Sequence, residues 1–312
     1  MNEQKKASVR PPPDAFGAIE EIDAGADVFV SALTDVGVVR KNNEDAFAVV
    51  DLGEDDVLDV VAKQTLVETG PRGVLLVVSD GMGGENAGEV ASALVLEGTR
   101  EHLRGAAVEE DPADALRAAI EHADAGVSTA AAEPGREGMG ATVIAALVCG
   151  SYAYTAEVGD SRAYLLRRGK LVQLSKDQTH VQVLVDQGLL APEKAKTSSA
   201  KSVVLQACGR AAGLVVAQRR VALREGDRLL LCSDGLTLHL EDADIARILA
   251  GAVVLDDACA KLVALAKERG GQDNVTVVAA EVGGTAPAVD PTEAIEECVE
   301  TLRAFTITSD PA

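Results

Sequence analysis

The sequence predicts an α+β fold resting on antiparallel sheet, and three observations carry that prediction. Residues 141–174 hold four short runs rich in Val, Leu, Tyr and Ala, broken by Cys149-Gly150, Gly159-Asp160-Ser161 and Arg168-Gly169. Such spacing reads as strands joined by tight turns, an antiparallel meander and not a doubly wound parallel sheet. Segments 86–103 and 112–127 before it, and 242–250 and 256–269 after it, carry apolar residues at helical spacing. Finally, 47% of the 312 residues are hydrophobic while only 2% are aromatic and Trp is absent, so the core must be aliphatic.

Taken in order, residues 1–25, with Lys5, Lys6 and Pro11-Pro12-Pro13, read as a disordered leader. A strand is expected at 28–33 and a second at 46–50, with a polar loop between them carrying Arg40 and the Glu44-Asp45 pair. Residues 51–72 form an acidic excursion with Val57, Leu58, Val61 and Leu66 roughly at helical spacing. The apolar run 74–79 reads as a buried strand that stops abruptly at Asp80, in a turn made by Gly81, Gly83 and Gly84, before a helix opens at Asn86. Asp111-Pro112 starts the next helix, whose stripe is Leu116, Ile120, Ala123 and Val127; the two helices should share one side of a sheet. After the meander come a short helix over 177–188 and a mobile Lys- and Ser-rich segment over 192–202. Strands follow at 214–221 and 228–232, the second ending in Ser233-Asp234-Gly235, a repeat of Ser79-Asp80-Gly81. Helices over 242–250 and 256–269 stop at Gly270-Gly271, and Asp273 opens a last strand. The tail, 285–312, is expected to hold one helix begun by Asp290-Pro291.

Charge and cysteines exclude several classes. A formal net charge of -21 argues against nucleic acid and anionic membrane as partners, since both would be repelled. Cys149, Cys208, Cys232, Cys259 and Cys298 are scattered and lack CxxC spacing, so they read as small buried hydrophobes in a reducing compartment. No apolar run approaches the ~18 residues of a membrane span, and no signal peptide core opens the chain. A cytoplasmic protein is the expectation.

The informative residues are acids. Glu44, Asp45, Asp80, Asp160, Asp234 and Asp273 fall at strand ends beside a glycine, an asparagine or another acid, and none sits on a helix face. Like charges converging on one site would raise one another's pKa, and hard divalent cations resolve that conflict. Without a His/Cys ligand set the site points to Mg²⁺ or Mn²⁺ and away from Zn²⁺. Two such ions about 3.5–4 Å apart can share a water and lower its pKa, readying a hydroxide for in-line attack on phosphorus. They also reverse the local field, so a phosphorylated substrate can enter an acidic protein, with Arg40 as a clamp on phosphate oxygens. Blander readings stand beside this one: a hydrated hairpin loop at Glu44-Asp45 and a turn-capping role for Asp160. Ser79 and Ser233 lack a His–Asp partner pattern, so no serine nucleophile is expected.

The ordered series Thr34 to Arg40 with Asn43-Glu44-Asp45, Ser79-Asp80-Gly81-Met82-Gly83-Gly84, Gly140-Ala141-Thr142, Val158-Gly159-Asp160-Ser161-Arg162, Ser233-Asp234-Gly235 and Gln272-Asp273-Asn274-Val275-Thr276 resembles the motifs of the metal-dependent protein phosphatase 2C family. The likeness is greatest to its bacterial serine/threonine phosphatases and covers 27–282. It implies a four-layer α/β/β/α sandwich, two antiparallel sheets flanked by helices, with the metal site between the sheets. It further implies a phosphatase domain over 26–284 that hydrolyses phosphoserine and phosphothreonine proteins by a hydroxide bridging two Mn²⁺ or Mg²⁺ ions. Asp80 would bridge the ions, the Gly81 carbonyl and Glu44 would hold one, and Asp234 and Asp273 the other. Asp160 would hold a weaker third ion, Asp45 would support the ligands from behind, and Arg40 would bind phosphate. The partners implied are phosphorylated proteins, bacterial Ser/Thr kinases among them, met by a monomer.

Three positions depart from the family pattern. Met82 stands where animal members carry a histidine, Gln178 replaces a histidine after Asp177, and the segment 192–202 lacks a His-Pro pair. These put substrate preference in question more than catalysis. Two rivals stay open: a catalytically weak regulatory module, and a phosphatase dedicated to one phosphoserine regulator protein.

Overall fold

Aliphatic residues that alternate between two faces give a strand two buried sides, and this chain uses that alternation to build two stacked sheets. A computed structural model describes residues 26–83, 87–196, 198, 200–210, 213–284, 286–290 and 292–307. The expected leader over 1–25, Gly84, the helix start at Asn86, and Pro291 lie outside those residues. In chain order, β1 (Asp27–Asp35), β2 (Asp45–Asp51), β3 (Asp56–Val57), β4 (Thr65–Glu68) and β5 (Val74–Met82) precede helices α1 (Ala87–Gly105) and α2 (Pro112–Ala131). Next come β6 (Gly140–Ala141), β7 (Val143–Cys149), β8 (Tyr152–Val158), β9 (Arg162–Arg167) and β10 (Lys170–Gln173). Helices α3 (His180–Asp186) and α4 (Pro192–Lys196) lead to β11 (Ala217–Ala222) and β12 (Arg228–Cys232). Then follow α5 (Asp234–Thr237), α6 (Asp242–Gly251), α7 (Leu255–Glu268), β13 (Val275–Val282), a 3₁₀ turn at Ile295–Cys298 and β14 (Val299–Arg303).

The described strands form a six-stranded sheet, β10-β9-β12-β13-β1-β4, and an eight-stranded one, β14-β11-β8-β7-β5-β2-β3, in which β6 also pairs with β5. All ladder pairings between named strands are antiparallel. Residue parity sorts the faces. Val74, Leu76 and Val78 of β5 pack between the sheets with Val28, Val30 and Ala32 of β1 and with Leu229 and Leu231 of β12. Leu75 and Val77 face outward onto α1 and α2, through Ala91, Val95, Leu116 and Ile120. On the other side Leu230, Val277 and Ala279 meet Ile245, Leu249, Leu262 and Val263 of α6 and α7. This is the expected four-layer sandwich, and its core is aliphatic as composition required. Among the described residues no helix is long and apolar enough to cross a membrane.

Several expectations change. Asp80 does not end its strand: β5 runs on through Met82, because Gly81 and Met82 pair with Ala141 and Gly140 of β6 in unbroken register. Residues 51–72 make no helix despite their spacing; β3 caps β2 and β4 lies along β1, so the excursion links the edges of both sheets. The meander over 141–174 is two hairpins in different sheets, since the chain crosses at Gly159–Ser161 from β8 to β9. Residues 192–196, read as part of a mobile segment, are helical. Asp234, read as lying off any helix, is the first residue of α5.

The tail also departs from its expected helix. Its strand β14 adds to β11 at the sheet edge. Beneath it Arg167 and Asp227 pair with side chains only 2% and 0% exposed. The Arg167 fork donates to Asp227 at 2.8 and 2.6 Å and to Cys298 Sγ at 3.0 Å, while Arg224 donates to Glu293 at 2.6 and 3.0 Å.

Candidate metal centre

Because Val74, Leu76 and Val78 face the space between the sheets, the period of two puts Asp80 on that same inner face. Register places Asp45 of β2 directly opposite Asp80. The strand is pinned by Thr142, which follows β6: its N–H donates to the Asp80 carbonyl at 2.9 Å, and its Oγ1 accepts the Asp80 N–H at 3.1 Å. Ser79, on the outer parity, donates to the Thr142 carbonyl at 2.7 Å. Gly81 is a packing requirement: a β-carbon there would lie 2.0 Å from the Gly88 carbonyl oxygen and 2.7 Å from that of Glu44. Gly88 is the matching residue on α1, since its β-carbon would sit 2.7 Å from Glu44 Oε1 and 2.8 Å from the Gly81 carbonyl oxygen. Those two oxygens, assigned to one ion by resemblance, thus converge on the same small space.

The second sheet supplies the rest. Ser233 donates to Asp45 Oδ2 at 2.7 Å and accepts the Thr276 N–H at 3.0 Å, tying the end of β12 to both β2 and β13. Gly235 lets α5 start against β13, for its β-carbon would fall 1.9 Å from the Asn274 carbonyl oxygen. Asn274 is a hub: its Oδ1 accepts the Glu44 N–H at 2.8 Å, and its Nδ2 donates to the Val36 and Asn42 carbonyls at 2.9 Å each. Asp273 accepts from Arg40 at 2.8 Å, and Arg40 also stands 3.8 Å from Glu44. Asp160 lies at the sheet crossing, where Gln178 Oε1 accepts the Gly159 N–H at 2.9 Å. The glutamine that departs from the family pattern therefore holds the turn before Asp160. A cleft of about 320 Å³ joins Asp160 and Asp234 to Arg162 and Asp177, and the last two form a forked pair at 2.8 and 2.7 Å.

Electrostatics describe one crowded cluster. Burial is the main cause that pushes the Asp80 carboxyl well above the carboxylate range, and the charges of Asp45, Asp234, Asp160 and Asp273 add to it. Burial likewise raises Asp45, against the opposing hydrogen bond from Ser233. Asp234 rises through burial and the charge of Asp273, while a hydrogen bond with Asp80 holds it back. Asp160 rises through burial and the charges of Asp234 and Asp177. Glu44 is raised chiefly by burial, with Arg40 opposing.

The donors suit a hard cation. Asp45 Oδ1 and Asp234 Oδ1 are buried without a hydrogen-bond partner, an arrangement that costs energy unless a proton or metal meets them. All donors are oxygens, the chemistry that Mg²⁺ and Mn²⁺ prefer. Among the described residues no three acids stand closed as a ready-made shell. Arg40 instead pairs with Asp273 at 2.8 Å and stands 3.8 Å from Glu44. Arg40, expected to clamp phosphate, is turned toward these carboxylates. Of the histidines, His102 and His122 face each other on α1 and α2 with rings 5.4 Å apart, and His239 accepts the N–H of Gln272, the residue before Asp273, at 3.0 Å.

Sequence reasoning named the acids but missed Gly88, Thr142 Oγ1 and Asn274 as the parts that position them. Two glycines, Gly81 and Gly88, flank the β5–α1 connection, and this was the signal for the first. Nothing local marks Asn274 as a bracket for a loop more than two hundred positions earlier.

Comparison with known proteins identifies the family. The family model described as Protein phosphatase 2C matches residues 62–273. The chain is 40% identical over 258 residues to the serine/threonine protein phosphatase PstP of Mycobacterium tuberculosis, covering 81% of this chain and 44% of that protein. It thus spans less than half of that relative. Over 252 residues it is 32% identical to the serine/threonine phosphatase stp of Listeria innocua, covering 80% of this chain and 93% of the relative. The crystal structure of M. tuberculosis PstP/Ppp superposes with a TM-score of 0.71 at 35% identity, covering 83% of this chain and 100% of that one. The PstP catalytic domain in complex with two manganese ions gives 0.67 at 36% identity, again covering 83% and 100%.

Proposed function

Because this chain belongs to the protein phosphatase 2C family, we propose that it is a metal-dependent serine/threonine phosphoprotein phosphatase acting at the cluster around Asp80. One observation carries the reading: acids from both sheets are buried together, with Asp45 Oδ1 and Asp234 Oδ1 left without partners. Asp80, the Gly81 carbonyl and Glu44 would hold one Mn²⁺ or Mg²⁺ ion, and Asp80, Asp234 and Asp273 the second, with Asp160 toward a weaker third. Bound there, the ions supply Lewis acidity and an activated water for attack on a phosphomonoester. Asp45, gripped by Ser233, supports the ligands from behind. Arg40 is 47% exposed at its side chain and can turn from Asp273 toward phosphate oxygens once cations take over its partner's charge. The relatives' names support phosphorylated Ser/Thr proteins as substrates. A cytoplasmic setting accords with five free cysteines, all buried.

The test is hydrolysis of an aryl phosphate and of a phosphothreonine peptide, with Mn²⁺ and then with excess EDTA. Turnover in manganese that chelation abolishes is the expected result, and turnover indifferent to the chelator would end the reading.

A further inference from the structure

Besides Arg40 and Arg162, which pair with acids, a third arginine stands beside the acid cluster. Arg40 lies against Asp273 and Glu44. Arg210, four residues past the buried Gln206, is exposed on the β6 side, and its contacts are to backbone and sulfur. Its Nε donates to the Gly138 carbonyl at 2.6 Å, its Nη2 donates to the same oxygen, and its Nη1 lies 3.8 Å from Met82 Sδ.

The position is built. Gly140 of β6 has no side chain where the Arg210 stem crosses; a β-carbon there would meet Arg210 Cγ and Cδ at 2.8 and 2.9 Å. The backbone of Cys208, just before Arg210, is itself bridged to Ala141 through two hydrogen bonds of 3.1 and 2.8 Å. Met82, against which the guanidinium rests, is two residues beyond Asp80 on an unbroken strand. It therefore lies on the same face as the Asp80 carboxyl, about 6.6–6.8 Å further along. The guanidinium rests against Met82 and not against Asp80. A neighbouring side chain of an extended substrate, one or two residues from the phosphorylated one, would fall beside this cation.

Resting on the phosphatase reading above, we propose that Arg210 is a specificity-determining residue that receives an anionic side chain flanking the phosphorylated residue. In a chain of net charge -21, a fixed exposed cation beside the site gives such a substrate a local attraction. Two of its donors go to Gly138, and the remaining guanidinium N–H groups suit the planar pairing of a carboxylate or phosphate.

The experiment uses the full chain with Mn²⁺ and three fluorescent peptides, each carrying a non-hydrolysable phosphonate in place of phosphothreonine. One is flanked by glutamate, one by a second phosphothreonine and one by alanine. Anisotropy titrations should show the anionic peptides binding about fivefold tighter than the alanine peptide, the scale of one exposed ion pair. Arg210→Gln should bring that ratio to one, and Arg210→Lys should keep part of it. The larger of the two preferences identifies carboxylate or phosphate as the group received. A ratio that survives Arg210→Gln, or that is already one in the wild type, overturns the proposal. Because the ligands are not hydrolysed, this outcome is independent of whether the protein turns over phosphoesters.

Discussion

The same tripeptide, Ser-Asp-Gly, follows an apolar strand twice in this chain, and the two copies do different things. At Ser79-Asp80-Gly81 the strand continues, because Gly81 and Met82 find partners in β6. At Ser233-Asp234-Gly235 the strand stops and α5 begins, with Leu236 buried and no further ladder. Ser79 bonds outward to the Thr142 carbonyl and braces the sheet; Ser233 bonds inward to Asp45 and braces the acid cluster. Each glycine is required by a carbonyl that leaves no room for a β-carbon, that of Gly88 in one case and of Asn274 in the other. A motif therefore delivers a carboxylate to the gap between the sheets, but the neighbouring strand decides what its flanking residues hold.

That contrast can be broken or sharpened. The largest effect is expected at the aspartates. Asp80→Asn should lower kcat for an aryl phosphate by about two to three orders of magnitude, the scale of removing one preorganised electrostatic group. Its circular dichroism should match the parent, and comparable turnover would remove Asp80 from its central role. An intermediate effect separates the serines. Ser233→Ala strips Asp45 of its inward donor and should weaken Mn²⁺ binding by roughly 10–100-fold, as losses behind metal ligands do. Ser79→Ala should cost about 1 kcal/mol of stability in urea, with metal affinity kept. Equal metal affinities for the two variants would show that the copies are interchangeable after all.

The smallest effect is one of pH. Asp45, Asp80, Asp160 and Asp234 are all raised in the folded protein, burial first among the causes. Their contribution to metal-free stability is thus fully present below the unfolded carboxylate range and fades as pH rises through the folded values. Manganese must displace those protons, so it competes better as pH rises. The Tm gain on adding Mn²⁺ should be larger at about pH 8 than at about pH 6, by roughly a few degrees. A gain that does not change with pH would mean the ions bind elsewhere.

Much of the architecture could be read from side-chain pattern. Continuous aliphatic runs marked β5, β7, β12 and β13, and the stripe Leu116-Ile120-Ala123-Val127 with the helical spacing over 256–269 marked helices that cover them. The acids were conspicuous because a carboxylate at the end of an aliphatic strand has no packing rationale. What pattern cannot supply is the partner. Gly140-Ala141 extends β5 from far along the chain, and the crossing at Gly159–Ser161 looks locally like any turn. Val57, Leu58, Val61 and Leu66 suggest a helix by spacing alone, yet Val57, Val61 and Leu66 are exposed, and the chain instead buries Leu52, Val60 and Val67 as it passes along the two sheet edges. The charge pairing that turns Arg40 onto Asp273 depends on two segments meeting in space, which spacing does not encode.

The C-terminal strand has a consequence of its own. Trimming the chain back to the end of β13 would strip the outermost rung from the larger sheet and bare the hydrogen-bonding edge of β11. It would also remove Glu293 and Cys298, leaving Arg224 without its carboxylate and the Arg167–Asp227 pair without its cover. What looks like an appendage is thus a lid on a dry ionic knot, and a shortened fragment of this protein would be sticky at that edge.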